Sequence, residues 1–301
     1  MAAEMTLSRH TFGLEKLDDL LGGGVLPGKL CVVLGATGIG KTQLGLHYLH
    51  QGLQEEKTKG VIYDLTSRGD SQSHIEYAKR LYNWELTAFS NATHKSLDID
   101  PEAIWNEQAE RTDISIPFVE SHRRVTYEDL TEAQQREWKK ELNQKLSETI
   151  RFFYGNIIHG VRRCVVDGVE PVVKPSHSFQ HDVFHYIEHQ ILRKAYDWVA
   201  RDLFRQKFRG QLQQIESHKY NYEDLSCLLL CTTQEIMLDD LLNRPLPEGD
   251  VLANANTVVA MGKLKEGTTL KRGLAVIKHR GSACGDDILT YSINEQGLQF
   301  D

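Results

Sequence analysis

The run Gly35-Ala36-Thr37-Gly38-Ile39-Gly40-Lys41-Thr42 follows an apolar stretch, Leu30–Leu34, and opens into a helical pattern from Lys41 to about Leu53. It satisfies G-x-x-x-x-G-K-[ST] in the strand, loop and helix order that the motif requires. The glycines let successive backbone N–H groups converge on one point, and the helix N-terminus adds partial positive charge there. Lys41 is then placed to reach the β/γ-phosphates of a nucleotide, and the Thr42 hydroxyl to ligate Mg2+. ATP with Mg2+ is the expected ligand pair, with Gly35, Ala36, Thr37, Gly38, Ile39, Gly40, Lys41 and Thr42 as its cradle.

Around this loop the chain alternates between the two periodicities. A short helix is expected at Leu14–Leu21, a strand over Gly60–Leu65 and a helix from about Ser73 to Tyr82. Beyond a weakly patterned region with a short helix after Pro101 and a strand at Ile114–Val119, Thr131 and Gln134 form a capping box. Trp138, Leu142, Leu146, Ile150, Phe153 and Ile157 then mark a long amphipathic helix ending near Gly160. Arg163–Val166 and Cys227–Cys231 have the apolarity of buried strands, and a helical stretch from about Phe179 to Arg209 lies between them. From Thr257 to Phe300 the pattern is a β-meander broken at Gly267, Gly281–Gly285 and Gly297. The expected fold is α/β, a mostly parallel central sheet flanked by helices with a C-terminal antiparallel β extension. A single domain over 1–301 is expected, with helical elaborations at about 86–156 and 171–224.

A P-loop needs a second anchor for its metal, a carboxylate at the tip of another parallel strand. Asp167 closes the apolar run Arg163-Cys164-Val165-Val166 and fits that position, although an Asp at a strand end also serves as a helix cap or turn former.

The 301 residues carry a formal charge of −7, which gives no overall field favouring nucleic acid or anionic lipid. No apolar run approaches the ~20 residues of a membrane helix, and Met1–Met5 lack the basic and apolar regions of a secretory signal, so no membrane partner and a cytoplasmic location are expected. The five cysteines are scattered and odd in number, and read as buried thiols.

Thr11-Phe12-Gly13-Leu14, Leu17-Asp18-Asp19-Leu20-Leu21-Gly22-Gly23-Gly24 and the P-loop together resemble the opening of the KaiC-like ATPases, relatives of the RecA and RadA recombinases. The resemblance implies a RecA-like P-loop fold. It extends to Leu228–Gln234, which looks like the family's sensor strand, so that Gln234 would sense the γ-phosphate; local backbone satisfaction is an equal reading of that residue. Ala275–Ser282 resembles the family's K-x-R-G-[ST] element, which implies that Lys278 and Arg280 reach the nucleotide of a neighbouring subunit in trans. Self-association follows from that, a hexameric ring being one form, while a pair of solvated strand-edge charges is the plain alternative.

One departure concerns catalysis. Where the relatives end the strand after the P-loop helix in glutamate, this chain has Thr66 and Ser67, and a hydroxyl is not a useful base at neutral pH. Asp64, two residues back on the same strand face, and Asp70, in the following loop, are the substitutes to consider. The resemblance therefore implies an ATP-binding protein that hydrolyses slowly and acts through assembly or an unknown protein partner. A DNA-dependent recombination ATPase and a non-hydrolysing nucleotide-dependent scaffold are the alternatives.

The resemblance to the recombinases puts their DNA-binding loops at 168–180 and 235–252, and DNA is disfavoured because the second carries Glu235, Asp239, Asp240, Glu248 and Asp250 against Arg244. Finally, His177, His181, His185 and His189 recur every four residues. They form either a solvated or subunit-facing stripe or a metal or acid sensor.

Overall fold

The computed structural model describes residues 9–66, 74–89, 100–106, 112–118, 131–170, 179–243 and 254–301. A first helix, α1 (Glu15–Leu20), precedes β1 (Leu30–Gly35), and the P-loop carries the chain into α2 (Lys41–Glu55), β2 (Val61–Asp64) and α3 (His74–Tyr82). After α4 (Pro101–Trp105) comes β3, which covers only Ile114–Ser115. The sequence pattern extends that strand to Val119, but Pro117 has no N–H to give a ladder, and 117–118 turn instead.

The capping box forms as expected: Thr131 caps α5 (Glu132–Ile158) and Gln134 reaches back to the cap. Next comes β4 (Arg163–Val169), and the helical stretch that follows is not one helix. It divides into α6 (Phe179–Tyr186), a π-helical turn at Ile187–Leu192, α7 (Tyr196–Phe204), a 3-10 segment at Arg205–Gln211 and α8 (Leu212–Ser217). The π turn is where Ile187, Glu188, Ile191 and Leu192 are all buried, and Arg205 adopts φ 49° at the second break. The chain ends with β5 (Ser226–Thr232), α9 (Leu238–Leu242), β6 (Thr257–Glu266), β7 (Thr269–His279), β8 (Leu289–Asn294) and β9 (Gly297–Phe300).

The strands form one sheet in the order β3-β2-β4-β5-β1-β6-β7-β8-β9. Pairing is parallel from β3 through β6 and antiparallel from β6 to β9, as the pattern predicts. Side chains alternate between the two faces, so each face has its own core. Cys31, Val33 and Val165 pack with Leu44, Leu46 and Leu49 of α2. Leu30, Val32, Leu34, Cys164 and Val166 pack on the other face with α5, α6 and α7, through residues such as Phe153, Phe184 and Leu203. The helical elaborations are what cover that second face. Among the described residues no helix is long and apolar enough to cross a membrane.

Arg163, at the start of β4, is 1% exposed. Its guanidinium donates to Glu56 at 2.8 and 2.9 Å, to the Tyr48 carbonyl at 2.9 Å, to the Thr11 carbonyl at 2.5 Å and to Glu55. It therefore ties the end of α2 and the N-terminal segment to the sheet. Arg163→Ala leaves those groups without their donor, and the expected loss in urea unfolding is about 3 kcal/mol.

His10 and His47 are both held down to about 4, chiefly by burial, against 6.5 unperturbed. Between pH 6.5 and 4 each binds a proton more readily in the unfolded chain, so each lowers stability as pH falls through that window. A His10→Gln/His47→Gln protein should consequently lose less stability than the wild type on acidification from pH 6.5 to 4, read as the shift in urea midpoint.

Candidate functional site

The loop 36–40 leaves the C-terminal end of β1, where ligands of open α/β sheets bind. Gly38 and Gly40 take φ of 78° and 118°, which side chains disfavour, and a Cβ on Gly40 would stand 2.8 Å from Ile293. The Tyr291 hydroxyl on β8 donates to the Ile39 carbonyl at 2.9 Å, so the antiparallel extension braces the loop. Lys41 is buried, its ammonium donating to the carbonyls of Gly35 at 2.8 Å and Ala36 at 3.1 Å. Burial holds its pKa below the ordinary lysine value, with Asp167 acting in the opposite sense.

Asp167 stands across from the loop at full burial, and Thr42 Oγ1 donates to its Oδ2 at 2.9 Å. Its other oxygen accepts from Gly168 N at 2.7 Å. A hydroxyl and a carboxylate so placed at a P-loop are the donor set that a Mg2+ ion takes, one directly and one through water, so these residues fit the metal. Burial raises the pKa of Asp167 most; His74 lowers it and Asp64 raises it.

Asp64 pairs in register with Asp167 on the neighbouring strand, and both face α2. It is fully buried, and its Oδ1 accepts from Thr66 N at 2.8 Å and from the Thr66 hydroxyl. Thr66, at one of the two positions that the sequence resemblance reserves for an acid, is therefore engaged with Asp64. The sequence reading passed over His74. Its ring is 2% exposed, and Nε2 lies 3.5 Å from both Asp64 Oδ2 and Asp167 Oδ2, longer than a good hydrogen bond. Burial alone would lower its pKa, but Asp64 and then Asp167 raise it. The one sequence signal for His74 is its spacing of four from Ala78, the other buried residue of α3.

Gln234 sits just past β5, whose Thr232 pairs with Gly35, and Thr233 N donates to the Gly35 carbonyl at 3.1 Å. It is exposed at the P-loop end of the sheet. Lys278 and Arg280 are elsewhere. Lys278 pairs with Val258, which pairs with Val32, and Arg280 N donates to the Asn256 carbonyl at 2.9 Å beyond the opposite end of β1. A bulge between Val276 and Lys278 turns Lys278 to the face of Val258, whereas Val276 shares the α2 face. Both are thus at the opposite end of the sheet from this chain's own P-loop, and Lys278 is on the opposite face as well. Burial and the neighbouring Arg280 hold the Lys278 pKa below its usual value.

Asp70, Ser67, His177, Arg244, Glu248 and Asp250 lie outside the described residues. The His185 and His189 rings are 4.9 Å apart, and no metal-holding group of three forms around them among the described residues. Glu235, Asp239 and Asp240 begin the acidic loop at α9. Of the cysteines, Cys31, Cys164, Cys227 and Cys231 are buried and Cys284 is half-exposed.

The model of the KaiC ATPase family matches residues 11–196, well over half of the chain and including the P-loop and Asp167. The chain belongs to the KaiC ATPase family. Curated relatives of this KaiC-family chain include the circadian clock oscillator protein KaiC of Prochlorococcus marinus (strain MIT 9313), 28% identical over 85 residues. That match covers 28% of this chain and 16% of the relative. KaiC of Parasynechococcus marenigrum (strain WH8102) is 32% identical over 61 residues, 20% of this chain and 12% of the relative. The matched part is thus a small fraction of those clock proteins' length. Among solved structures, a KaiC-like protein from Pyrococcus horikoshii OT3 has the same fold. It superimposes with a TM-score of 0.51 at 15% identity, covering 98% of this chain and 99% of that one.

Gly168 shows how tightly the KaiC-family strand tips are set. Its φ is 86°, and a Cβ there would meet Thr66 N at 2.5 Å and Asp64 Oδ1 at 2.9 Å. Gly168→Ala should cost about 1–3 kcal/mol of stability in urea unfolding, and more than Ala substitution at Gly210, whose Cβ would meet nothing within 4 Å.

Proposed function

We propose that this KaiC-family chain binds Mg·ATP at its P-loop, hydrolyses it slowly, and uses nucleotide state to control assembly with copies of itself. The backbone amides of 36–42 and Lys41 would hold the phosphates, and Thr42 would ligate Mg2+ with Asp167 behind it. The metal supplies charge stabilisation to the γ-phosphoryl group when bound. Slow turnover is supported by Thr66, whose hydroxyl is engaged with a buried Asp64 and offers no base to an attacking water. Asp64 and Asp70 are the carboxylates left to that task, and Gln234, exposed at the P-loop end of the sheet, is the group assigned to sensing the γ-phosphate. The reading takes 1–301 as one domain, with elaborations at about 86–156 and 171–224.

The observation that carries assembly is the position of Lys278 and Arg280 at the other end of the sheet from this chain's P-loop. Two cations there can meet a polyphosphate only if it belongs to a neighbour. Self-association in a ring, with these residues acting in trans, follows from that. DNA is an unfavourable ligand for the acidic stretch at Glu235, Asp239 and Asp240. A scaffold that binds ATP without hydrolysing it is the second reading, favoured by the same Thr66 to Asp64 contact.

Sedimentation velocity with and without Mg·ATP, run beside phosphate release, tests the proposal. The expected result is a nucleotide-dependent rise in mass with turnover below about 1 per second, the low end of enzyme rates. Lys41→Ala should abolish both, while Arg280→Ala should lose the mass change and keep nucleotide binding. Zero phosphate release with intact assembly would select the scaffold. DNA-stimulated turnover that falls steeply with salt would select the recombination enzyme.

A further inference from the structure

Neither the P-loop motif nor the KaiC resemblance calls for a histidine at position 74, yet the fold buries one between two acids. Asp64 and Asp167 are directly opposed on adjacent parallel strands and share a face, so their carboxylates repel each other at close range in a buried setting. Each spends one oxygen on the main chain: Asp64 Oδ1 on Thr66 N at 2.8 Å, Asp167 Oδ1 on Gly168 N at 2.7 Å. The two Oδ2 atoms remain. That of Asp167 accepts from Thr42, whereas that of Asp64 is buried without a hydrogen bond.

The His74 ring lies against both, with Nε2 at 3.5 Å from each Oδ2, and Ala78 one turn later packs the same side of α3 into the core. Both ring nitrogens are buried, and among the described residues neither has a hydrogen bond of normal length. Among the described residues the two carboxylates are the polar groups that meet the ring. Its enclosure argues against direct contact with a nucleotide.

We infer that His74 is a positioning residue: its ring separates Asp64 from Asp167, keeps Asp167 turned towards Thr42, and so sets how strongly the P-loop holds the magnesium of a bound nucleotide. The inference rests on the P-loop reading above and adds to it a residue that the family pattern does not supply. Groups that orient a metal's ligands from behind are worth roughly 10–100-fold in metal affinity. The effect should therefore appear in the magnesium-dependent part of nucleotide binding and not in the part due to amides and Lys41. It should also depend on the charge of Asp64, because without that charge nothing pushes Asp167 away.

The test is calorimetric titration with the non-hydrolysable analogue AMPPNP, once with Mg2+ and once with EDTA. For His74→Leu the EDTA affinity should stay within about twofold of wild type, while the gain on adding Mg2+ falls by about 10–100-fold. Adding Asp64→Asn to His74→Leu should restore most of the gain. His74→Gln, which can still turn an amide N–H to one carboxylate, should fall between wild type and Leu, and it decides the matter should the Leu variant fail to fold. A full magnesium gain in His74→Leu or His74→Gln, an equal loss with and without Mg2+, or no recovery on removing the Asp64 charge would each overturn the inference. If the wild type binds no AMPPNP under either condition, the P-loop reading itself fails. Wild-type binding without a magnesium gain overturns the role of His74 alone.

Discussion

The hydrogen bond from Thr42 to Asp167 joins the first turn of the P-loop helix to the tip of a strand that is not its neighbour in the sheet. It is possible because α2 runs back across the sheet against the direction of β4. The helix N-terminus thus lies over the end of that strand, and the helix C-terminus over its beginning. At that other end Arg163 grips Glu55 and Glu56 from beneath. One helix and one strand are clamped at both ends, by a charged network far from the loop and by a hydroxyl and a carboxylate beside it. Arg163 and Asp167 are both buried, while Glu55 and Glu56 keep some exposure, so each clamp is costly to break from its buried side.

The two faces of the sheet divide the remaining work. The α2 face carries the P-loop, Asp64, Asp167 and His74, and the antiparallel strands brace it through Tyr291 and Ile293. The opposite face is covered by α5 to α8 and receives Lys278 after the bulge in β7. On the proposed reading the P-loop is a phosphate seat at one end of the sheet, with Lys278 and Arg280 as cations at the other. That arrangement suits head-to-tail association, in which each interface unites unlike surfaces.

Much of this was legible in the residues because the signals were local. The P-loop glycines, the Thr131 capping box and the apolar runs of β1, β4 and β5 each state their own structure. The apolar run before Asp167 marked its strand, although that strand runs on to Val169 where the sequence pattern ends it at Asp167. The broken helix between Phe179 and Gln211 was not, since the π turn answers to burial of Ile187, Glu188, Ile191 and Leu192 against distant elements. Pro117 could have shortened β3 in advance. The β7 bulge left no mark, because Ile277 fits a strand either way. His74 was missed for the same physical reason as the π turn: its partners stand on two separate strands, β2 and β4, and a lone histidine opening a helix belongs to no motif.

The most direct measurement of the central claim is a structure of the protein with Mg2+ and a non-hydrolysable ATP analogue. The account predicts phosphates against the amides of 36–42, magnesium at Thr42 with Asp167 behind it, and Lys278 and Arg280 of an adjoining copy at the γ-phosphate. Nucleotide bound away from the P-loop, or both cations facing solvent in every copy of a nucleotide-loaded assembly, would contradict it.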